Sequence, residues 1–281
     1  MVKIRNVLKT VKGHPTIDGA GVHLIRVLGP DNVRDIDPFL MLDAFDSRNP
    51  EDYIRGFPMH PHRGIETITY LIKGEIIHKD SLGNGGTIHE GQSQWMTAGR
   101  GILHEEMPQG TEWLFGLQIW LNLPKEDKMA EPHYFDIDQD MIKSINLPNE
   151  EGVVKIISGS FDSVKGVDTR HIQATILDIS LNSGAEIEIP LDSENNLFIY
   201  IFDGEGYFGE KKDIIVGNKT VTIFDEGDSF KARASANGLR FMLFAAKPLN
   251  EPIAWGGPIV MNADEELDEA FRELQLGTFI K

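Results

Sequence analysis

Short apolar runs that end at glycine-containing turns dominate the hydrophobic pattern of this chain. Runs rich in Ile, Val, Thr, Tyr and Phe occupy 65–72, 174–181 and 197–202, and each is followed within three residues by a glycine. In the stretch 185–191, isoleucine alternates with glutamate, which is the two-residue period of a half-buried strand. Many short strands punctuated by turns predict an all-β sandwich or barrel.

One helix is predicted, close to the C-terminus. Asn262 is a suitable N-cap, and Glu265 lies three residues further on, as in a capping box. Leu267 and Phe271 then follow at helical spacing, and Gly277 ends the run. We therefore expect a short C-terminal helix that closes over a sheet.

The chain also repeats itself weakly. Three pairs of similar segments follow one another in the same order: 67–75 with 197–205, 90–92 with 226–228, and 115–124 with 239–248. Such self-similarity predicts two copies of one β fold. The segment 124–151 between them is polar, acidic and broken by prolines, which is typical of a surface linker. We therefore expect an N-terminal domain over 1–130 and a C-terminal domain over 131–281.

Composition narrows the possible partners. The net charge is −17, which disfavours direct binding to nucleic acid or to an anionic membrane surface, because both depend on Lys and Arg. The chain has no cysteine, so a metal would be held by His, Asp or Glu. No apolar run resembles a signal peptide or a membrane span, and a soluble cytoplasmic protein is expected.

Three of the nine histidines form a candidate metal site with one glutamate. His60 and His62 flank Pro61, and on an extended segment residues two apart project from the same face. His104 and Glu106 repeat this spacing about forty residues later. Three imidazoles and one carboxylate suit Fe, Mn, Ni, Cu or Zn. The alternative is that the closely spaced histidines are ordinary surface residues.

The second copy lacks these groups. With an offset of 130, the positions of His60, His62 and Glu66 are taken by Pro190, Asp192 and Asn196. The region of His104 falls near 230–235, which contains no histidine. We therefore predict one ion per chain, bound in the first copy. His78 and His89 lie outside the two candidate pairs and are predicted to be structural or surface residues.

Two segments carry a specific family resemblance. HPHRGIET at 60–67 and QWMTAGRGILH at 94–104 resemble the two signature stretches of the pirin family, which belongs to the cupin superfamily. Weaker similarity continues through 129–132, 156–159 and 257–262, so that the resemblance spans essentially the whole chain.

The resemblance implies a fold and a ligand set. The expected fold is two cupin β-barrels of the jelly-roll type, packed face to face, with a short C-terminal helix. The N-terminal barrel would hold one iron ion through His60, His62, His104 and Glu106. Many other cupins take the carboxylate from the first motif, where Glu66 lies. The pirin pattern favours Glu106 and leaves Glu66 either as a partner behind the ligands or as a strand residue that faces away.

The resemblance also implies an activity, because pirins are similar to quercetin 2,3-dioxygenases. A flavonol and dioxygen would meet at the metal, Glu106 would accept the 3-hydroxyl proton, and ring cleavage would release carbon monoxide. Apolar side chains near the motifs would either line the pocket or fill the barrel core, namely Phe57, Trp95, Met96 and Phe115.

A regulatory protein is the second hypothesis. Some pirins act as iron-dependent cofactors of transcription factors or bind metabolic enzymes, and the resemblance extends to them as well. In that case the metal would shape a surface for a protein partner. The chain has no basic nuclear-localisation run, which argues against a nuclear role.

Overall fold

The computed structural model describes residues 2–210 and 214–281, and strands predominate in it. The first twelve strands are β1 Val7–Lys12, β2 His14–Asp18, β3 Val22–Leu28, β4 Phe39–Ser47, β5 Phe57–His62, β6 Ile65–Lys73, β7 Ile76–Asp80, β8 Gly85–Ile88, β9 Ser93–Thr97, β10 Ile102–Pro108, β11 Leu114–Asn122 and β12 His133–Ile137. The others are β13 Lys143–Asn146, β14 Gly152–Ser158, β15 Ser160–Phe161, β16 Val164–Lys165, β17 Thr175–Leu181, β18 Glu186–Pro190, β19 Asn196–Phe208, β20 Ile215–Gly217, β21 Thr220–Phe224, β22 Ser229–Ala246, β23 Ala254–Gly256 and β24 Ile259–Met261. The two α-helices are α1 Val33–Ile36 and α2 Asp264–Leu276.

The chain forms two compact units, which confirms the predicted all-β fold with two cupin barrels. We call residues 14–31, 39–139 and 249–281 the N-terminal barrel. As far as it is described, the C-terminal barrel comprises residues 2–13, 32–38 and 140–248.

The expected division at residue 130 therefore differs from the observed one at both ends of the chain. The first strand, β1, pairs with β21 and so belongs to the C-terminal barrel. Helix α2 belongs to the N-terminal barrel, where its residues pack against Ile259 and Met261. Neither assignment can be predicted from the local sequence. The residues of β1, for example, do not indicate that this strand pairs with β21, which lies more than 200 residues later in the chain.

Both barrels are built on the same strand order. The N-terminal barrel has a seven-stranded sheet, β12-β9-β6-β11-β4-β3-β2, and a four-stranded sheet, β5-β10-β7-β8. The C-terminal barrel has the path β1-β21-β19-β22-β17-β14-β13, with β18 added to β22 and β20 added to β19. Strands β6 and β19 contain the first pair of repeated segments and occupy the same place, which confirms the internal duplication.

One of the three sequence matches is out of register with this topology. Residues 90–92 precede β9, whereas residues 226–228 follow β21, the strand that takes the place of β9 in the C-terminal barrel. Both segments are acidic turns with a glycine, so turn chemistry and not equivalence explains their similarity.

Apolar side chains fill the interior of the C-terminal barrel. The predicted alternation in β18 is confirmed, because Ile187 and Ile189 are buried while their glutamate neighbours are exposed. Four phenylalanines lie in the same core, with ring centroids 5.2–6.2 Å apart: Phe208, Phe224, Phe230 and Phe241. Burying each such side chain contributes about 1.5–3 kcal/mol, and this interior is organised for stability.

The C-terminal helix begins slightly later than predicted. Ala263 is the N-cap, and Glu266 accepts hydrogen bonds from the backbone N–H groups of Asn262 and Ala263 at 3.0 and 3.1 Å. Glu266 and not Glu265 therefore supplies the capping carboxylate. Gly277 ends the helix in the left-handed conformation at φ 70°, as predicted. No helix within the described residues is long and apolar enough to cross a membrane.

The predicted linker at 124–151 contains two strands. β12 pairs with β9 at the edge of the N-terminal sheet, and β13 pairs with β14 in the C-terminal barrel. Edge strands carry polar residues on their open side, which is why this segment resembles a linker in sequence.

Candidate metal centre

Two neighbouring strands bring the three predicted histidines together. β5 and β10 are antiparallel, and His60 lies directly opposite His104. His62 is two residues beyond His60 and projects from the same face. The ring centroids of the three imidazoles are 4.4–5.0 Å apart, and one nitrogen from each lies within 4.8 Å of the others.

Hydrogen bonds fix the tautomers of His60 and His62. The Nδ1 atom of His60 lies 3.0 Å from the carbonyl oxygen of Pro58, and that of His62 lies 3.0 Å from the carbonyl oxygen of Pro258. A carbonyl only accepts, so each Nδ1 carries the hydrogen and each Nε2 presents a lone pair. These two Nε2 atoms face each other at 3.1 Å. Two lone pairs at this distance repel, and a cation bound by both removes the repulsion.

His104 completes the set from the other strand. Its Nδ1 atom lies 2.9 Å from the hydroxyl of Tyr134, while its buried Nε2 has no hydrogen-bond partner among the described residues. Burial and the nearby carboxylates raise the pKa of Tyr134, so the phenol stays neutral. Burial lowers the pKa of His62 to about 3 and that of His104 well below its usual value, so both imidazoles are neutral at neutral pH. The donor set therefore fits a divalent metal ion.

Glu106 lines a cavity together with His60 and His62, but it lies outside the group of three histidines. Its carboxylate accepts a hydrogen bond from the Thr69 hydroxyl at 3.1 Å and from the Gln118 amide at 3.0 and 2.8 Å. His104 and Glu106 share one face of β10, whose alternation is regular, and the register shift towards β5 at this point comes from an extra residue in β5. A ligand role for Glu106 stays a prediction.

Glu66 faces away from the cavity. It lies on β6, where side chains alternate, so it shares a face with Ile68 while Thr69 projects from the opposite face towards Glu106. Its carboxylate accepts a hydrogen bond from the Thr97 hydroxyl at 2.7 Å. Of the two alternatives left open by the sequence, the strand residue that faces away is the one observed.

His60 and His62 line a cavity of about 740 Å³. Trp120 lines it and packs edge-on against His62, with ring centroids 5.0 Å apart and an interplanar angle of 82°. Trp255 lines the same cavity and lies 6.1 Å from Trp120. Of the four apolar side chains considered from the sequence, Phe57 lines the cavity, whereas Trp95 and Met96 are buried in β9 and Phe115 stacks on Trp113.

Sequence analysis missed several side chains at this site. Tyr134 lies in the segment interpreted as a linker, and Trp120 and Gln118 lie in a repeated strand without a motif of their own. The alternation in β11 was the available signal, because Gln118 and Trp120 are two apart and share a face.

A buried lysine fastens the segments around His62. The Lys128 ammonium donates to the carbonyl oxygens of Gly64 and Val260 at 2.8 Å each and to the side chain of Asn122 at 2.5 Å. Gly64 follows the first histidine motif, and Val260 follows the Pro258 carbonyl that accepts from His62. Lys128 therefore holds both the histidine strand and the acceptor of its Nδ1 hydrogen.

Replacing Lys128 by methionine is expected to weaken metal binding by roughly tenfold, a magnitude typical of the outer partners of metal ligands. The loss follows because two carbonyl groups and one amide lose their donor and the Pro258 segment is released. Titration of the apoprotein with Zn²⁺ measures the change. Lys247→Met, at an exposed lysine paired with Glu194, is the control. Equal affinities in the two variants would contradict the role of Lys128.

His78 and His89 lie outside the group of three. His78 is buried and stacks on Tyr134, with ring centroids 5.2 Å apart and planes inclined by 4°. His89 is on the surface, where its Nδ1 lies 3.0 Å from the carboxylate of Glu75.

His78→Ala and His89→Ala are each expected to retain one metal ion per chain, because neither ring directs a nitrogen at the group of three. His78→Ala should lower the melting temperature, since it leaves a void beside Tyr134, while His89→Ala should not. Metal analysis and thermal unfolding of both variants check this. Loss of the metal in either one would show that the ligand set is wrong.

Comparison with known proteins gives a consistent result. A family model described as pirin matches residues 21–121, and one described as the pirin C-terminal cupin domain matches residues 176–280. A Pseudomonas aeruginosa protein whose provisional name is quercetin 2,3-dioxygenase is 40% identical over 99% of both chains. A pirin-like protein of Caulobacter vibrioides is 39% identical over 98% of this chain and 99% of its own. The crystal structure of a quercetin 2,3-dioxygenase from Acinetobacter baumannii is similar with a TM-score of 0.90, 32% identity and 98% coverage of each chain.

Proposed function

The chain belongs to the pirin family, and on that premise we propose that it is a metal-dependent dioxygenase that cleaves flavonols such as quercetin in its N-terminal barrel. The observation that carries the proposal is the convergence of three imidazoles beside a cavity that is also lined by the buried carboxylate of Glu106. Similarity to the Acinetobacter baumannii quercetin 2,3-dioxygenase supports the choice of reaction.

His60, His62 and His104 are proposed to hold one mononuclear metal ion, with Glu106 as a fourth ligand. Iron is the proposed metal, although Mn, Ni, Cu and Zn suit the same donor set. When bound, the metal supplies a Lewis-acidic centre at which the substrate oxygen and dioxygen are brought together. The hydrogen bonds at Nδ1 orient the histidine rings and increase their basicity as ligands.

Glu106 is proposed to act as the general base. Its carboxylate is buried, and the donors on Thr69 and Gln118 hold it in place. Those bonds occupy only part of the capacity of its two oxygens, so one oxygen remains able to accept the 3-hydroxyl proton of a flavonol. Cleavage of the central ring then releases carbon monoxide.

The cavity suits an aromatic substrate. Its volume of about 740 Å³ lies inside the range of roughly 300–1,000 Å³ found for small-molecule pockets. The indole rings of Trp120 and Trp255 offer flat apolar walls for stacking.

Metal analysis combined with a dioxygen-consumption assay tests the proposal. Freshly purified protein is expected to contain one ion per chain, and none in the C-terminal barrel, where Pro190, Asp192 and Asn196 take the positions of His60, His62 and Glu66. Iron-loaded protein in air should consume dioxygen with quercetin and release carbon monoxide. Full iron occupancy without turnover of any flavonol would overturn the enzymatic role and favour an iron-dependent regulatory protein that binds a protein partner.

A further inference from the structure

A row of polar side chains crosses the seven-stranded sheet of the N-terminal barrel. Each member lies opposite the next in the antiparallel register, from β3 through β4, β11, β6 and β9 to β12. In that order, the members are Arg26, Asp43, Gln118, Thr69, Gln94 and Asp136. Directly opposed residues project from the same face of a sheet, so the row shares the face from which Thr69 and Gln118 reach Glu106.

The matching row of the C-terminal barrel is largely apolar. The directly opposed residues on the corresponding strands β14, β17, β22, β19, β21 and β1 are Ile156, Leu177, Leu243, Ile199, Thr222 and Thr10. The first four belong to the hydrophobic core of that barrel. Since the same topology is formed with apolar residues here, the fold does not require the polar row, and buried polar groups cost free energy unless they are hydrogen-bonded.

The middle of the row already has a role, because Gln118 and Thr69 hold Glu106. The residues of the row on β3 and β4, Arg26 and Asp43, form no hydrogen bond with Glu106. Arg26 donates from Nε and Nη2 to the two carboxylate oxygens of Asp43 at 3.0 and 2.7 Å, and from Nη2 to Asp18 at 2.7 Å. All three residues line the cavity that Glu106 also lines. We call them the Asp18–Arg26–Asp43 cluster.

The charges of this cluster define the ligand group that it accepts. Two carboxylates face one guanidinium, so the cluster carries an excess negative charge and repels carboxylate or phosphate groups. Each carboxylate has about four acceptor positions, and the bonds from Arg26 fill only some of them. Hydroxyl donors suit the remaining positions, and hydrogen bonds to ionised acceptors are the strong ones.

We propose that the Asp18–Arg26–Asp43 cluster binds phenolic hydroxyl groups on the substrate ring that is remote from the metal. The cavity would then favour neutral flavonols hydroxylated on that ring over flavonols without such hydroxyls and over anionic aromatic compounds. This inference rests on the proposed function, because the ligand occupies the same cavity.

The test compares quercetin, which has two hydroxyls on the remote ring, with galangin, which has none. Binding to Zn²⁺-loaded protein is followed by quenching of tryptophan fluorescence, since Trp120 and Trp255 line the cavity. Wild-type protein is expected to bind quercetin roughly tenfold more tightly than galangin, the effect of a hydrogen bond to a charged group. Asp18→Asn and Asp43→Asn should each remove most of this preference, because the affinity for quercetin falls far more than the affinity for galangin.

Asp178→Asn is the matched control. Asp178 forms the same two-bond pair with Arg240, at 3.0 and 2.7 Å, but belongs to the C-terminal barrel and does not line the cavity. It should keep the full preference for quercetin. If Asp43→Asn fails to fold, Asp18→Asn decides the matter, because the Asp18 side chain is 47% exposed and its replacement is tolerated more easily. Full retention of the preference in Asp18→Asn, or equal affinity of wild-type protein for both flavonols, would overturn the inference.

Turnover separates this inference from the proposed function. With iron-loaded protein in air, cleavage of galangin alongside equal affinity for the two flavonols would support the function and overturn the role of the cluster. A binding preference that depends on Asp18, without cleavage of either flavonol, would support the cluster and overturn the dioxygenase.

Discussion

Replacing His62 by alanine is expected to remove both the metal ion and flavonol cleavage. His62 is almost fully buried, with a carbonyl acceptor behind its Nδ1 and Trp120 packed against its ring. Deleting it removes one of the four proposed ligands, and water enters the space that the imidazole occupied beside the remaining three. We expect less than roughly a tenth of the wild-type metal content and no measurable dioxygen consumption, since a lost ligand weakens the site directly.

The loss must be separated from general unfolding. His89→Ala deletes an exposed imidazole of the same barrel and serves as the matched control, with metal content and melting temperature measured beside those of His62→Ala. The far-ultraviolet circular dichroism of both variants should match that of the wild type. A folded His62→Ala protein that keeps a full complement of iron would show that the metal lies elsewhere.

The parts of this site that sequence could predict are those with local signals. Two histidines separated by one proline in an extended strand project from the same face, and this does not depend on the rest of the chain. The all-β class was equally accessible, because alternation and glycine turns are properties of short segments. Helix α2 was found for the same reason, and its start was misplaced by only one residue because Glu265 and Glu266 are chemically equivalent candidates for the cap.

The remaining parts depend on register between distant strands. Tyr134 reaches His104 because β12 is added to the edge of a sheet, and nothing in its own segment indicates this. Lys128 can bridge residues 64 and 260 by hydrogen bonds only because the fold brings both carbonyl groups next to its side chain. The polar row is visible only when six strands are aligned, since its members are scattered from residue 26 to residue 136.

The choice between the two carboxylates shows the same limit. Spacing alone left both Glu66 and Glu106 available, and the family pattern favoured the second. The structure adds a physical reason, because the alternation of β6 turns Glu66 towards Thr97 and turns Thr69 towards Glu106. Geometry therefore places one of the two carboxylates in the cavity, and its chemical role is a matter for mutagenesis.

Glu106→Gln is expected to retain much of the metal and to slow flavonol cleavage by roughly a hundredfold or more, as is typical when a general base is removed. Glutamine keeps the shape of the side chain, and its amide oxygen can still accept from Gln118 while its NH₂ donates to the Thr69 hydroxyl. The bond from Gln118 to the other oxygen and the contact with Thr69 are therefore kept, one bond from Gln118 is lost, and the three imidazoles remain. What is lost is the ability to accept the 3-hydroxyl proton.

The comparison that decides the role of Glu106 is with Glu66→Gln, measured for iron content and for the rate of quercetin cleavage in air. Glu66→Gln makes the same chemical substitution at another buried carboxylate of the same barrel. Glu66, however, lies on the face of β6 that points away from the cavity. It should cleave quercetin at close to the wild-type rate. The reverse outcome, near-normal cleavage by Glu106→Gln and a large loss in Glu66→Gln, would assign the base to the first motif. Loss of metal from Glu106→Gln in proportion to its loss of activity would make Glu106 a ligand whose basicity is not used.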